Sequence, residues 1–258
     1  MDIIEPSPST PSTPPWEVLV LVAPFLDPST LAVASCVSKS WRVAASSPHL
    51  WLPLCLSRFP SSCLLLCTPS PSPRLLFSLL QSAASSPLRR RRPAPPLPCL
   101  SLRDLVFTID VFLPRRAEPL LSGAKAGEEV ERESRGVFRF DIEAAEAGVV
   151  ERGDEMRVVW MAVRKEGWGS AFLVMERQGK GRTVGDAGIW FEEELPAPRC
   201  CSAAEDAGGM VAEVGLVIGG RGLRTVGKVS LGLMRRAGCR YVSVVDALMY
   251  LQRHLLPS

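Results

Sequence analysis

The sequence predicts an α+β protein, in which a small N-terminal helical module precedes a mainly antiparallel, β-sandwich-like domain with a C-terminal helix. Apolar residues recur at helical spacing as far as about residue 84, and from Leu100 onward the spacing changes to two residues. The predicted strands follow one another without intervening helices, which favours an antiparallel sheet. With 258 residues, 47% of them hydrophobic, the chain is long enough to bury a sizeable core.

We divide the chain into four parts. Residues 1–14 are rich in Ser, Thr and Pro and are expected to be a disordered lead-in. Residues 15–84 carry the predicted helices, residues 85–99 form a linker rich in Pro and Arg, and residues 100–258 form the β-rich domain.

The predicted helices are short and strongly apolar. Asp27 and Ser47 each precede a proline, which is typical of an N-cap followed by proline at the first helical position. The first helix carries an apolar stripe, and the helix that starts at Pro48 is predicted to continue to Phe59. A satellite helix is predicted over 74–84. So many large apolar side chains on short helices indicate a surface that a partner covers.

The order and spacing of these residues resemble the F-box family. The matching residues are Pro15-x-Glu17, then Phe25-Leu26-Asp27-Pro28, Leu31, Val37, Ser38-Lys39-Ser40-Trp41-Arg42 and Ser47-Pro48-His49-Leu50-Trp51. Two positions depart from the family pattern. Pro14 stands where a leucine is usual, and Pro24 lies late in the first helix, where it removes a backbone hydrogen bond.

The resemblance implies an adaptor that docks onto the SKP-type adaptor of a cullin–RING (SCF) ubiquitin ligase, while the rest of the chain recruits an unknown substrate protein. It implies no catalytic residue, cofactor or metal in this chain. By analogy, adaptor docking falls on Pro15, Glu17, Val18, Leu19, Val22, Leu26, Leu31, Val37, Trp41, Leu50 and Trp51. Some of these residues must serve the module's own core, and one sequence does not separate the two sets. Plant F-box proteins often pair this module with a β-rich C-terminal domain, and the layout of this chain looks similar.

The β-rich part contains several runs of alternating or continuous apolar residues. Strands are predicted at 105–113, 138–142, 156–163, 171–175, 189–191, 210–218 and 228–234, and the third and fourth are expected to form a hairpin of central strands. Ser243 is expected to cap a final helix. Residues 123–136 are expected to be an exposed loop or a disordered insert, and the acidic run 192–194 and residues 196–209 are expected to be loops.

Two other functions remain open from the sequence. Trp160, Trp168 and Trp190 are expected mainly in the core, but a sandwich with tryptophans also permits a lectin-like module that binds carbohydrate or a small ligand. Trp168, between two glycines, is the one expected at the surface. Residues 222–228 fit G-x-x-x-x-G-K, but Val229 replaces the Ser or Thr of a phosphate-binding loop, so a hairpin turn is preferred.

Composition argues against several other classes. The net charge of +3 gives no case for nucleic acid, and no aromatic residues interleave with Arg89 to Arg92. Those arginines are expected to be a solvated charge run, with a nuclear-import signal as the alternative. No basic signal precedes an apolar run, and prolines and polar residues interrupt the apolar stretch 18–37. We therefore expect a protein of the cytoplasm, the nucleus or both, with no membrane partner.

The cysteines and histidines do not form a recognisable site. The eight cysteines are expected to be reduced, and Cys63-x-x-x-Cys67 lacks the second pair that a zinc site needs. His49 is expected to be partly exposed on its helix, and His254 is expected at a frayed helix end. Neither histidine has the neighbours of a nucleophile relay.

Overall fold

The computed structural model describes residues 16–66, 71–85, 97–144, 148–151, 153–166, 169–185, 188–196, 209–219 and 224–256, and the helices and strands named below lie within these ranges. The side chains of Trp16, Glu17 and Leu19 are not described. Most of the predicted linker and the run Arg89 to Arg92 lie outside the described residues.

The N-terminal module consists of short helices. They are α1 (Trp16–Val22), α2 (Pro28–Ala34), α3 (Lys39–Ala45), α4 (Pro48–Arg58), α5 (Ser62–Leu65) and α6 (Pro73–Ser85). Helix α1 ends before Pro24, and a short 3-10 turn (Ala23–Phe25) follows it. The satellite helix predicted over 74–84 is confirmed as α6.

Side-chain caps fix the starts of α2 and α3, whose N-cap residues are Asp27 and Ser38, but not the start of α4. The carboxylate of Asp27 accepts the backbone N–H groups of Ser29 and Thr30 at 2.9 and 3.1 Å, as predicted. The hydroxyl groups of Ser29 and Thr30 also donate to this carboxylate, and together with the backbone N–H groups they hold the pKa of Asp27 well below its usual range. Ser47 occupies the N-cap of α4, but the prediction that it caps is wrong, because its side chain accepts no backbone N–H. Its hydroxyl instead bonds the Nδ1 atom of His49 at 2.7 Å.

The C-terminal part is built from antiparallel strands and two helices. The strands are β1 (Leu105–Phe112), β2 (Leu121–Ala126), β3 (Arg139–Glu143), β4 (Glu155–Arg164), β5 (Ala171–Lys180), β6 (Arg182–Val184), β7 (Gly188–Glu194), β8 (Met210–Gly219), β9 (Thr225–Arg235) and β10 (Arg240–Tyr241). The helices are α7 (Gly127–Glu133) and α8 (Val244–Leu255).

The strands form two sheets. One sheet has four strands in the order β2-β1-β4-β5, and the other has the order β10-β9-β8-β7-β6, with β3 also paired to β9. Every pairing among these strands is antiparallel, as predicted. Strand β4 is central, but β5 lies at the edge of its sheet, so the prediction of two central strands was wrong for β5.

The main core lies between the two sheets. Phe107, Phe138 and Phe140 form a ring cluster with centroid separations of 5.1–5.7 Å, and the fully buried Trp160 packs against Phe140. The inward-facing residues of both sheets and the buried stripe of α8 belong to this core. The observed fold is thus the predicted α+β arrangement of a helical module, antiparallel sheets and a C-terminal helix.

Helix α8 is held firmly along its length. Ser243 accepts the backbone N–H of Asp246 at 3.1 Å, which confirms the predicted cap. The ring of His254 is buried and stacks on Phe172 with a centroid separation of 4.0 Å. The expectation of a frayed helix end at His254 is therefore wrong.

Two predicted loops are regular structure. Residues 123–136 form the end of β2 and the whole of α7, where Gly127 contacts the backbone of Leu102 so closely that a Cβ would lie 1.6 Å from the Leu102 carbonyl oxygen. Glu192, Glu193 and Glu194 are the last residues of β7 and pair in register with β8. Charged composition predicted loops at both places, but strand pairing and close backbone packing determine the structure.

Candidate interaction site

Among the described residues, the most prominent exposed apolar area lies on helices α1 to α3 and the two turns that join them. Phe25 is 87% exposed and Val43 is 76% exposed. We call this area the docking surface, and its residues are Leu21, Val22, Phe25, Val33, Val37 and Val43. Large apolar side chains clustered in water are typical of a surface that a partner covers.

The helix geometry explains why these residues are exposed while their neighbours are buried. On α2, Leu31 and Ala34 point into the module, and Leu31 is only 1% exposed. Val33 lies between these two positions in sequence and therefore projects from another side of the helix. Ser38 accepts the backbone N–H of Trp41 at 3.3 Å and fixes the start of α3, from which Val43 projects.

The docking surface is not flat. A cavity of about 300 Å³ opens between α1, α2 and α3, and its lining residues include Val22, Leu26, Val33 and Trp41. A second groove of about 410 Å³ is lined in part by Val20, Val43 and Leu50. The first concavity is mostly apolar, whereas Ser40, Ser47 and His49 also line the second. The apolar concavity is of the kind into which large side chains of a partner insert.

The module is held together by a core of its own. The indole of Trp51 is buried, donates its Nε1–H to the carbonyl oxygen of Ala45 at 2.7 Å, and packs on Phe77 of α6 at 5.6 Å between ring centroids. The guanidinium of Arg74 lies 5.7 Å from the ring centroid of Trp51 and donates to the hydroxyl of Ser35 at 2.8 Å. Helix α6 is therefore part of the module's core.

The structure separates the predicted docking residues into distinct groups. Val18, Val22 and Val37 are exposed, whereas Leu26 and Trp41 are partly buried against the module. Leu31, Leu50 and Trp51 are buried in the core of the module. Pro15 lies outside the described residues, and for Glu17 and Leu19 only the helical backbone is described.

Sequence reasoning did not single out several docking-surface residues. Leu21, Val33 and Val43 are exposed, and none was among the residues assigned to docking. The available signal was that each is a large apolar residue beside, rather than on, the stripe that faces the module's core. Such a signal becomes usable only when the direction of each helix is known.

The other candidate sites have ordinary structural explanations. Lys228 lies in β9, and its ammonium group is 2.6 Å from a carboxylate oxygen of Asp141. Trp160 is in the core, Trp168 is outside the described residues, and Trp190 is partly buried over two glycines. Residues 222 and 223 of the glycine-rich motif are also outside the described residues.

Neither metal nor membrane binding has a recognisable site in the part of the chain that the structure describes. No three His, Cys, Asp or Glu side chains of that part are placed together so as to hold a metal ion. None of its helices combines the length and the apolar character needed to span a bilayer. Cys67, the second residue of the predicted cysteine pair, is not among the described residues.

In this chain an exposed apolar surface lies on a short N-terminal helical module that is joined to a β domain. This arrangement is typical of proteins that bind another protein through their N-terminal helices. A family model described as F-box-like matches residues 15–57, which span α1 to α3 and most of α4. The chain is also 32% identical over 209 residues to the "Probable F-box protein At5g04010" of Arabidopsis thaliana, and the match covers 79% of this chain and 69% of that relative. The chain therefore belongs to the F-box protein family.

Proposed function

We propose that this chain is the substrate-recognition subunit of an SCF-type E3 ubiquitin ligase. The docking surface binds an SKP-type adaptor, and through that adaptor the chain joins a cullin–RING ligase. The C-terminal domain recruits the target protein. The observation that carries the proposal is the exposed apolar area on the helices that match the F-box-like model.

The mechanism in this proposal is proximity. The chain holds a target close to the charged ubiquitin-conjugating enzyme and so raises the target's effective concentration at the reacting thioester. Bond making and breaking belong to the other components of the complex. In this proposal the chain is a non-catalytic adaptor.

The residues of the helical module have two different roles in this proposal. Leu31, Leu50 and Trp51 keep the helices in place, because each is buried in the module. Val22, Phe25, Val33, Val37 and Val43 provide direct contact, because each is exposed and apolar. Removal of a residue from the first group is expected to act through folding, and removal of a residue from the second through binding alone.

A binding measurement with matched variants tests docking. The purified chain is titrated with an SKP-type adaptor, and Val43→Asp is compared with Val245→Asp, because Val245 is 53% exposed on α8 in the C-terminal domain. We expect Val43→Asp to weaken binding at least tenfold and Val245→Asp to leave it unchanged, with identical far-UV circular dichroism for both. Equal affinities of the two variants, or no binding by a correctly folded wild-type chain, would refute the proposal.

A second measurement addresses recruitment. Wild-type chain and Val43→Asp are each purified from cells treated with a proteasome inhibitor, and co-purifying proteins are identified by mass spectrometry. A target of the ligase is expected with both chains, while the SKP-type adaptor and cullin are expected only with the wild type. Ubiquitination of that target should require the wild-type docking surface.

A further inference from the structure

The helical module packs directly on the outer face of the four-stranded sheet. A second apolar cluster combines buried residues of α4 to α6 with Val159, Met161 and Val163 of β4. The partners on the helical side include Phe59, which follows α4 directly, together with Leu65, Leu76 and Leu80. Apolar contacts of this kind are strong but not directional, so they do not by themselves fix the angle between the two parts.

A buried polar contact between the sheet and the helices is directional and can fix the angle between them. Asp110 of β1 lies on the face of the sheet that meets the helices, and it is 2% exposed. One carboxylate oxygen of Asp110 accepts the backbone N–H of Ser61 at 2.8 Å, and the other accepts the Ser61 hydroxyl at 2.8 Å. Both oxygens thus bond the N-cap residue immediately before α5, 49 positions away in the chain.

Charged residues attach the helices to the sheet at a second place, at the edge of the interface between the helical module and the four-stranded sheet. Glu176 of β5 forms ion pairs with Arg157 of β4 at 2.7 Å and with Arg58 at the end of α4 at 3.9 Å. Arg157 also lies over the ring of Phe112 at 5.1 Å. The end of α4 and the start of α5 are therefore both attached to the sheet, on either side of Phe59.

We propose that Asp110 is a positioning residue that fixes the orientation of the F-box helices relative to the β domain. The docking surface and the C-terminal domain are then held at one angle, so that a bound adaptor and a recruited target have a defined separation. The contact with Ser61 is bidentate and buried, and its short, directional hydrogen bonds allow little rotation of α5 on the sheet. The fixed orientation is inferred from these contacts between the helices and the sheet. Only its role in ubiquitin transfer depends on the proposed function.

The test is a distance distribution within the full-length chain. Nitroxide labels are attached to p-acetylphenylalanine introduced at the exposed positions of Lys39 on α3 and Thr183 on β6, which avoids the native cysteines, and distances are measured by pulsed electron paramagnetic resonance. The wild type should give a single narrow distribution. Asp110→Leu should broaden it, because the N–H and hydroxyl of Ser61 lose both acceptors.

Asp110→Asn is the matched control. Its amide oxygen still accepts the Ser61 N–H and its amide nitrogen donates to the hydroxyl oxygen, so the narrow distribution should return. If Asp110 only filled space, the distance distribution would be narrower for Asp110→Leu than for Asp110→Asn, since leucine packs better in an apolar interface. A narrow, unshifted distribution for Asp110→Leu would overturn the proposal.

Ser61→Ala provides a second route if Asp110→Leu does not fold. It keeps the backbone N–H, removes only the hydroxyl, and is expected to give a partly broadened distribution; an unchanged one would count against the proposal. These measurements need no adaptor, so their outcome is separate from that of the titration with the SKP-type adaptor. Ubiquitination of a target is then expected to slow in Asp110→Leu while adaptor affinity stays unchanged.

Discussion

The indole of Trp190 on β7 lies directly over Gly215 on β8, its cross-strand partner. A Cβ atom at position 215 would be 2.7 Å from the indole Nε1 atom and 3.0 Å from Cε2. The six-membered ring covers Gly188 in the same way, since a Cβ there would be 2.7 Å from Cζ3. At position 188 the carbonyl oxygen of Leu216 is closer still, 2.3 Å from such a Cβ atom. Glycine therefore avoids a clash with the indole at both positions and also a backbone clash at position 188.

Gly215→Ala is therefore expected to displace Trp190 and to lower the free energy of unfolding by about 1–3 kcal/mol, as overpacking usually does. Gly227→Ala in the adjacent strand β9 is the control, since a Cβ there would be 3.9 Å from its nearest neighbour. Urea unfolding followed by circular dichroism gives both values. Equal stabilities for the two variants would show that Trp190 moves aside at no cost.

Trp51→Ala is expected to destabilise the helical module by about 3–5 kcal/mol, because it creates a cavity where the indole is now buried. It also leaves the carbonyl oxygen of Ala45 without the 2.7 Å hydrogen bond from Nε1. The variant should lose helical circular dichroism and adaptor binding together, whereas Val43→Asp should lose binding alone. Loss of binding by Trp51→Ala with unchanged stability would instead place Trp51 in direct contact with the adaptor.

The buried carboxyl of Asp110 predicts a dependence of stability on pH. Burial raises its pKa from 3.8 to about 6, although Ser61, Ser122 and Arg157 act in the opposite direction. Because the pKa is raised in the folded state, the stabilisation from protonation is fully present below pH 3.8 and is lost as the pH rises through about 6. At about 1.4 kcal/mol per pKa unit, this difference amounts to about 3 kcal/mol.

Asp110→Asn removes this titration. Relative to that of Asp110→Asn, the free energy of unfolding of the wild type should be larger at about pH 4.5 than at about pH 7.5, on either side of the raised pKa. Urea titrations of both chains at several pH values measure the difference, in which the effects of all other carboxyl groups cancel. A difference independent of pH would mean that Asp110 has an ordinary pKa in the folded chain.

The two predicted N-caps that precede prolines should differ in importance. Asp27→Ala removes an acceptor that bonds Ser29 and Thr30, and it is expected to lower the thermal midpoint. Ser47→Ala should have a much smaller effect, because the Ser47 side chain caps nothing. Differential scanning calorimetry at neutral pH compares the two, and a larger loss for Ser47→Ala would contradict the assignment of caps.

The sequence identifies those elements whose residue pattern reflects a local cause. Asp27 before Pro28 and Ser243 before α8 are caps that depend on neighbouring residues, and both were predicted correctly. The alternating run from Leu105 likewise predicted β1, because one side of that strand faces the core between the sheets.

The missed elements depend on partners distant in sequence. Glu192 to Glu194 resemble a turn by composition, but register with β8 makes them strand, and the Glu193 carboxylate accepts the backbone N–H of Glu176 at 3.0 Å. In the same way, Leu31 and Val33 are both aliphatic residues of α2, and only the packing of α2 distinguishes the core residue from the surface residue. The composition of a segment and the spacing of its apolar residues do not report the pairing of β7 with β8 or the packing of α2.

Strand β4 is covered on both sides, which explains why residues 156–163 are almost continuously apolar instead of alternating. Met156, Val158 and Trp160 belong to the core between the sheets, whereas Val159, Met161 and Val163 belong to the cluster shared with the helices. A fragment that starts at residue 97 would expose this second row to water along the whole strand, and we expect it to self-associate. Helices α4 to α6 thus keep this row of the sheet away from water, and we expect the helical module and the β domain to unfold together as a single unit.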